Sequence, residues 1–148
     1  MKARDYFDAI RSEALSVERS REMLERMMSR EDARSQRYDA SSSSRSAEQP
    51  DLISRRIDFE HRLDERIEAS NKMIDEALEI LYGIEGRGGL SKLKGARYAD
   101  AVCMHYCQAE TWAEVADVMQ CSQAWARKLC DVAFEYIDAL GFAYLKNA

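Results

Sequence analysis

Four cysteines and two histidines are the side chains of this chain with the widest chemical range. Cys103 and Cys107 are four residues apart with His105 between them, so one helical face can carry both thiols. A structural zinc site usually takes two close pairs of ligands, and Cys121 and Cys130 are nine residues apart. We therefore interpret the cysteines as small core residues and predict neither a metal nor a cofactor.

The histidines also give no catalytic arrangement. His61 lies among charged residues and is interpreted as a solvated surface residue, far along the chain from His105. No Ser/His/Asp or Cys/His set emerges. The GRGG stretch at 86–89 lacks the GxxxxGK[ST] spacing and the preceding strand of a phosphate-binding loop. We therefore predict that the protein is not an enzyme.

A different chemistry, the recognition of DNA, is indicated at residues 111–137, TWAEVADVMQCSQAWARKLCDVAFEYI. This stretch predicts a helix-turn-helix whose second helix begins after Ser122. The outward side of that helix would present side chains to base edges and phosphates, and the candidates for this contact are Gln123, Ala124, Arg127 and Lys128. Asp131 lies on the same side.

Local signals define the two helices of this motif. Thr111 and Glu114 fit a capping box, Gln120-Cys121 would make the turn, and Ser122 is a favourable N-cap. Apolar residues then recur at helical spacing and would pack inward: Val115, Ala116, Met119, Ala126, Leu129, Ala133 and Ile137. The alternative is an ordinary helical hairpin in a small bundle, because that structure needs the same short turn and small crossing residues.

Residues 90–108 predict a lead-in helix that packs across the motif. Its start carries a basic cluster, together with Arg87, that could contact phosphates as auxiliary sites: Lys92, Lys94 and Arg97. A solvated helix start explains the same charges. Trp112 is predicted to anchor the first motif helix on the lead-in helix. For Trp125 a packing role is favoured over contact with the DNA backbone.

Two long helices precede this region. Residues 3–32 and 51–83 each carry a narrow apolar stripe between charged faces, which favours a coiled coil over a lone surface helix. The serine-rich stretch 34–50 predicts a loop, and the glycines at 84–89 predict a hinge. We predict an all-α fold with a long N-terminal antiparallel helical hairpin at 1–83 and a C-terminal helix-turn-helix domain at 90–148.

Composition restricts the setting. The chain has 148 residues and a net charge of −5, with 15 basic and 20 acidic residues in 1–86 and seven of each in 87–148. Because residues 87–148 carry no net charge and residues 1–86 are acidic, we expect non-specific binding to DNA to be weak and salt-sensitive. No apolar run approaches the roughly 20 residues of a membrane span, and the N-terminus lacks a signal-peptide core. We expect a cytoplasmic protein with no membrane partner.

The stretch from Arg97 onward resembles the DNA-binding module of sigma factor region 4. The resemblance rests on a Tyr-rich lead-in helix, a T-W-x-x-[VI]-A segment, a short turn, a serine and a second helix, here Tyr98, Tyr106, Thr111, Trp112, Val115, Ala116, Ser122, Leu129, Ala133 and Phe134. The whole chain also resembles a family of small phage and prophage proteins of Gram-positive bacteria. Members of that family have an N-terminal coiled coil with a serine-rich loop and an I-[DV]-[LF]-E segment, here Ile57, Asp58, Phe59 and Glu60.

That resemblance implies a role in phage transcription. We therefore expect a DNA-binding transcriptional regulator with double-stranded DNA as its partner and a homodimer formed through the hairpin. The competing hypothesis is a non-enzymatic interaction protein, a sigma-like mimic or adaptor that binds RNA polymerase or another phage protein without touching DNA. Charge separates the two, because a DNA binder should show a continuous positive surface that joins Arg127, Lys128 and the cluster at 87–97, whereas a mimic should show that face interrupted by Asp131 and Glu135.

Overall fold

A computed structural model of the chain describes residues 1–40 and 49–148, with side chains at 1–36 and 51–148. This part of the chain is all-helical and has no strand, which confirms the predicted class. A π-helical turn lies at Cys103–Cys107. The seven α-helices are α1 (Ala3–Ala40), α2 (Gln49–Tyr82), α3 (Leu90–Leu93), α4 (Ala96–Val102), α5 (Trp112–Met119), α6 (Gln123–Leu140) and α7 (Phe142–Asn147).

The two long helices run antiparallel where they contact each other. The Arg56 guanidinium bonds to the Glu31 carboxylate at 3.1 Å, and Arg66 donates to the Ser16 hydroxyl at 2.6 Å. The predicted loop at 34–50 is shorter at both ends, because α1 continues to Ala40 and α2 begins at Gln49. Its remaining residues, 41–48, lie outside the described part of the chain.

The apolar stripe of α1 differs in register from the predicted one. The expected stripe runs from Val17 through Leu24 to Met28, interrupted by Arg21; Leu24 is half-buried, but Arg21 and Met28 are exposed. Ser20 and Met27 are half-buried instead. A step of three residues after Val17, rather than four, keeps the charged Arg21 out of the seam. The change follows from the cost of burying a charge without a partner.

The helices divide into two compact units. Unit 1 comprises residues 1–15 and 70–148, and unit 2 comprises residues 16–69. This division differs from the predicted one, in which the whole hairpin formed one domain and a hinge at 84–89 separated it from the next. The ends of α1 and α2 belong to unit 1 because their apolar side chains share its core, as Phe7 and Leu81 show.

The glycine segment 84–89 forms a tight, packed turn. The Ile84 and Arg87 backbones pair with each other at 2.9 Å in both directions, and the Gly89 N–H donates to the Leu145 carbonyl of α7 at 2.6 Å. A Cβ on Gly88, whose φ is +67°, would lie 2.2 Å from the Leu145 carbonyl oxygen. Gly88 and Gly89 are therefore needed for close backbone approach inside unit 1, whereas a Cβ on Gly86 would meet nothing within 4 Å.

The lead-in region is broken into shorter elements. Gly95, with φ of +146°, separates α3 from α4, so 90–108 is not one continuous helix. After Val102 the backbone widens, and the Gln108 N–H bonds to the Cys103 carbonyl at 2.9 Å, five residues back. This π-helical turn is a local departure from α geometry of a kind often found at functional sites.

The core of unit 1 is centred on aromatic rings from three parts of the chain. The Phe7 ring of α1 stacks on Phe134 of α6 at 5.5 Å, and Tyr106 of the π-helical turn meets Phe134 edge-on at 5.1 Å. Phe7 is fully buried. These rings join α1, the π-helical turn and α6 through apolar burial and aromatic geometry.

Over the described ranges, no helix has both the length and the apolarity needed to cross a membrane.

Candidate functional site

The candidate site is built on α5 and α6, which are joined by residues 120–122. Thr111 caps α5 by accepting from the Glu114 N–H at 3.2 Å, and its hydroxyl bonds to the Glu114 carboxylate at 3.0 Å. The predicted cap is confirmed, with the Glu114 side chain turned to the Thr111 hydroxyl. Gln120 ends α5 in the left-handed region, at φ of +54°, so the predicted turn also forms at this position.

The second helix begins where the sequence indicated. The Ser122 hydroxyl accepts from the Trp125 N–H at 3.0 Å, which satisfies one of the free donors at the start of α6. The predicted inward residues of α6 are all buried: Ala126, Leu129, Ala133 and Ile137. Cys130 and Phe134 share that face. The inward and outward sides of α6 are therefore fixed by the apolar pattern.

The first turns of α6 leave the candidate contact residues accessible. Gln123, Ala124, Arg127 and Lys128 are all exposed. Arg127 lies over the Trp112 ring of α5 at 5.7 Å from its centroid, and Lys128 lies 5.8 Å from the Trp125 centroid. A cation above a ring face is attracted by the ring quadrupole, so each charge has a preferred position.

Trp125 does not have the packing role that was favoured from the sequence. It is 47% exposed and lies on the outward half of α6. By contrast, Trp112 stacks on the His105 ring at 3.6 Å, which confirms that it anchors α5 on the preceding segment. The sequence pattern could not show which of the two tryptophans is buried, because each lies within three residues after an N-cap. Only the packing around the two rings differs.

Asp131, one turn beyond Arg127 on α6, has a cationic partner from α1. The Arg4 guanidinium bonds to the Asp131 carboxylate, and this bond raises the pKa of Arg4. Both side chains remain about half-exposed. The pair replaces a lone negative charge beside Arg127 with a neutral ion pair. Sequence analysis missed it because the partners are separated by 127 positions.

The basic cluster before α4 lies on the other flank of α6. Lys94 sits 5.5 Å from the Tyr136 ring centroid, and Tyr136 is nine residues, or about 180° around the helix, from Arg127. Lys92 donates to the Gly86 carbonyl at 3.3 Å. Lys92, Lys94 and Arg97 are exposed. The structure therefore does not bring this cluster beside Arg127 and Lys128 in one patch.

Beneath α5, a buried histidine and an arginine fix the backbone. The Arg11 guanidinium donates to the carbonyls of Glu110, at 2.8 Å, and His105. The His105 ring is buried, and its Nδ1 has no hydrogen-bond partner among the described residues. Burial, followed by the nearby Arg11 charge, lowers the pKa of His105 to about 4. Near neutral pH the ring stacked on Trp112 is therefore uncharged.

Metal-binding groups do not converge in the described ranges. No cluster of three or more His, Cys, Asp or Glu side chains there could hold a metal ion. The prediction that the protein has no cofactor and no catalytic set stays a prediction.

Comparison with other proteins gives no relative from which a function of the site could be inferred. No protein-family model, curated protein or solved structure matches the chain. The resemblance to sigma factor region 4 and to small phage proteins therefore remains a hypothesis drawn from the sequence pattern.

Proposed function

We propose that the protein is a DNA-binding transcriptional regulator of phage type, in which α5 and α6 form a helix-turn-helix. The observation that carries this proposal is the start of α6. Its apolar face is buried in the core of unit 1, while Gln123, Ala124, Arg127 and Lys128 are exposed together on its first two turns. In a helix-turn-helix, the N-terminal residues of the second helix are those that contact base edges.

The local charges support this role despite the net negative charge of the chain. Arg127 and Lys128 are exposed cations, and the ion pair with Arg4 offsets the negative charge of Asp131. Glu135 lies two turns beyond Lys128, away from the start of α6. Since only a few cations are available, binding to random DNA should be weak, and it should decrease with salt at a slope set by the small number of phosphate contacts.

The second basic cluster fits auxiliary phosphate contacts. A helix in the major groove has a phosphate backbone on each side, and the groove is about 12 Å wide. Arg127 lies on one flank of α6 and Lys94 on the other. Lys92, Lys94 and Arg97 would then contact the backbone opposite the one nearest Arg127, which positions the helix without reading bases.

We also propose a homodimer formed through the hairpin. Large apolar side chains of unit 2 remain 37–51% exposed: Met23, Met28, Ile53 and Ile57. Burying them against a second copy would remove this area from water. A dimer would also join two weak DNA-binding modules, because the second half-site then binds at a high effective concentration.

The direct test measures fluorescence anisotropy with fragments of the native host or phage genome across a salt series. The decisive variant is Arg127→Glu with Lys128→Glu. Its matched control is Arg26→Glu with Arg30→Glu, which makes the same charge change at exposed positions of unit 2. We expect the wild type and the control to select one fragment at low salt and the α6 variant to lose it. Absence of binding by the wild type at low salt would refute the proposal for the isolated protein.

One observation favours the competing function, an adaptor that binds RNA polymerase or another phage protein without DNA. Trp125 is 47% exposed and Val118 is 65% exposed, and exposed aromatic residues are common anchors of protein interfaces. Under this hypothesis Trp125→Ala weakens binding to purified RNA polymerase or the other phage protein, whereas the α6 charge variant changes DNA anisotropy no more than the control. Loss of DNA binding on charge reversal, with RNA polymerase binding unaffected by Trp125→Ala, would favour the regulator.

A further inference from the structure

The π-helical turn carries a thiol at each of its two ends, and one of them lies at the edge of a cleft. Cys103 and Cys107 are its first and last residues, and the interaction between their side chains lowers the pKa of Cys103 and raises that of Cys107. Cys103 also borders an open cleft of about 510 Å³ between α4 and the end of α5, lined in part by Tyr82, Asp100, Met104, Val118 and Gln120. Cys107 does not line that cleft and lies behind Cys103.

We propose that Cys103 and Cys107 are a modification site, a dithiol that a hydroperoxide oxidises reversibly to a disulfide within the π-helical turn. The proposal goes beyond DNA binding and does not depend on it. Two features carry it: both thiols belong to one helical turn, four residues apart, and Cys103 lines the cleft. A small oxidant such as hydrogen peroxide can enter an opening of this size.

The environment assigns different roles to the two sulfurs. The interaction with Cys107, the largest cause, lowers the pKa of Cys103, which favours its thiolate. The same pairing, with burial, raises the pKa of Cys107. Cys103 is therefore the attacking thiolate, and Cys107 is the thiol that resolves the product. Elsewhere, burial raises the pKa of Cys130 to about 12, which disfavours its thiolate.

The reaction balances with one peroxide per dithiol. The Cys103 thiolate attacks a peroxide oxygen, so an S–O bond forms, the O–O bond breaks and hydroxide leaves, giving a sulfenic acid. The Cys107 sulfur then attacks the Cys103 sulfur, an S–S bond forms, the S–O bond breaks and a second hydroxide leaves. Each hydroxide takes up a thiol proton to become water. The sulfurs lose two electrons, which reduce the peroxide to two waters.

The geometry requires only a local adjustment. Side chains four apart on a helix have Cβ atoms about 5–6 Å apart, and a disulfide needs about 3.5–4.5 Å. Closing the bond therefore moves the Cβ atoms about 1–2 Å closer. The widened turn already departs from α geometry, since the Gln108 N–H bonds to the Cys103 carbonyl and the Glu110 N–H bonds to the Met104 carbonyl, at 2.9 and 3.0 Å.

The test uses the full chain, reduced, treated with hydrogen peroxide at pH 7, denatured and labelled with N-ethylmaleimide. We expect intact mass spectrometry to show a loss of about 2 Da before labelling and two fewer labels after it, with both lost from Cys103 and Cys107 in the peptide map. Dithiothreitol should restore both. The matched control, Cys121→Ser, changes the more exposed cysteine at the α5–α6 turn and should still lose the same two labels.

A second variant separates the two sulfurs. In Cys107→Ser, the Cys103 sulfenic acid has no resolving thiol, so it should persist and be trapped by dimedone. Retention of all four labels by the wild type overturns the proposal, as does loss of label from Cys121 or Cys130 instead. Failure of dimedone to label Cys103 in a folded Cys107→Ser variant also overturns it. If circular dichroism shows that this variant is unfolded, the wild-type peptide map decides.

Discussion

Unit 1 and unit 2 are built from the same two long helices but bury them to different extents. In unit 1, the ends of α1 and α2 contribute fully buried side chains such as Phe7, Ile10 and Leu81 to a shared core. In unit 2, the same helices have a thin seam around Val17 and Leu63. Helix formation alone therefore does not predict how much a segment contributes to stability, because most of that contribution comes from packing.

The polar contacts of the two units also differ in kind. In unit 2, Arg56 joins Glu31 and Glu60 in an ion-pair network across and along the helices. In unit 1, Arg11 instead bonds to backbone carbonyls beside the buried His105. Arg11 and Arg56 are both half-buried, but the acceptors of Arg11 are fixed backbone carbonyls, whereas the carboxylates bonded to Arg56 belong to side chains that can turn away at little cost. We therefore expect substitutions and pH to act mainly through unit 1.

The largest expected effect is on the aromatic core of unit 1. Phe7→Ala should lower the free energy of unfolding by about 3–5 kcal/mol, since it removes a fully buried ring and leaves a cavity. Urea unfolding followed by circular dichroism measures this change. The control in unit 2 is Arg62→Ala, at an exposed side chain outside the proposed dimer surface, where the change should stay within about 0.5 kcal/mol. Equal losses for the two variants would contradict the comparison.

Acid should act through His105. Its pKa of about 4 in the folded protein lies below its ordinary 6.5, so the unfolded chain takes up the proton first as the pH falls. The stability from this group is present above pH 6.5 and is lost between pH 6.5 and 4, by at most about 3 kcal/mol. Urea unfolding across this range measures the slope.

Two histidine variants sharpen this result. His105→Phe keeps an aromatic ring against Trp112 and should flatten the stability profile between pH 6.5 and 4. His61→Gln replaces the exposed histidine of unit 2 and should leave the slope unchanged. If the two variants changed the slope equally, the loss of stability would not come from burial in unit 1.

A smaller effect is expected at the start of α6. Ser122→Ala removes the hydroxyl that accepts from the Trp125 N–H and should destabilise unit 1 by about 1 kcal/mol. Ser122→Gly should cost only a few tenths of a kcal/mol, because glycine is a tolerated N-cap. Thermal unfolding of both variants measures the two losses of stability and shows whether alanine at the N-cap costs more than glycine. No loss of stability in Ser122→Ala would mean that the hydroxyl contributes nothing.

The smallest effect should come from the ion pair between α1 and α6. A double-mutant cycle of Arg4→Ala and Asp131→Ala should give a coupling below about 1 kcal/mol that decreases with added salt, because both side chains are about half-exposed. A coupling well above that range would show that unit 1 also depends on surface charge. The same cycle, read by DNA anisotropy, reports whether freeing Asp131 weakens binding beside Arg127.

Parts of the candidate site could be predicted because they depend on neighbours in sequence. The caps at Thr111 and Ser122 and the turn at Gln120 each involve groups within a few residues of one another. The buried face of α6 follows from a repeat of three and four residues. The ion pair of Arg4 and the exposure of Trp125 could not be predicted in this way, because they depend on segments far apart in the chain.

The sequence by itself determined that the described chain is helical, where α5 and α6 begin, and which side of α6 faces inward. Periodicity and capping are local, so one sequence is enough to specify them. Only the tertiary structure decided that the start of α1 and the end of α2 belong to unit 1, that Gly88 and Gly89 approach Leu145, and that Cys103 and Cys107 belong to one widened turn. Those outcomes depend on how segments far apart in the chain pack into one core, and on where the backbone departs from regular helix geometry to allow that packing. The spacing of neighbouring residues does not encode either of these.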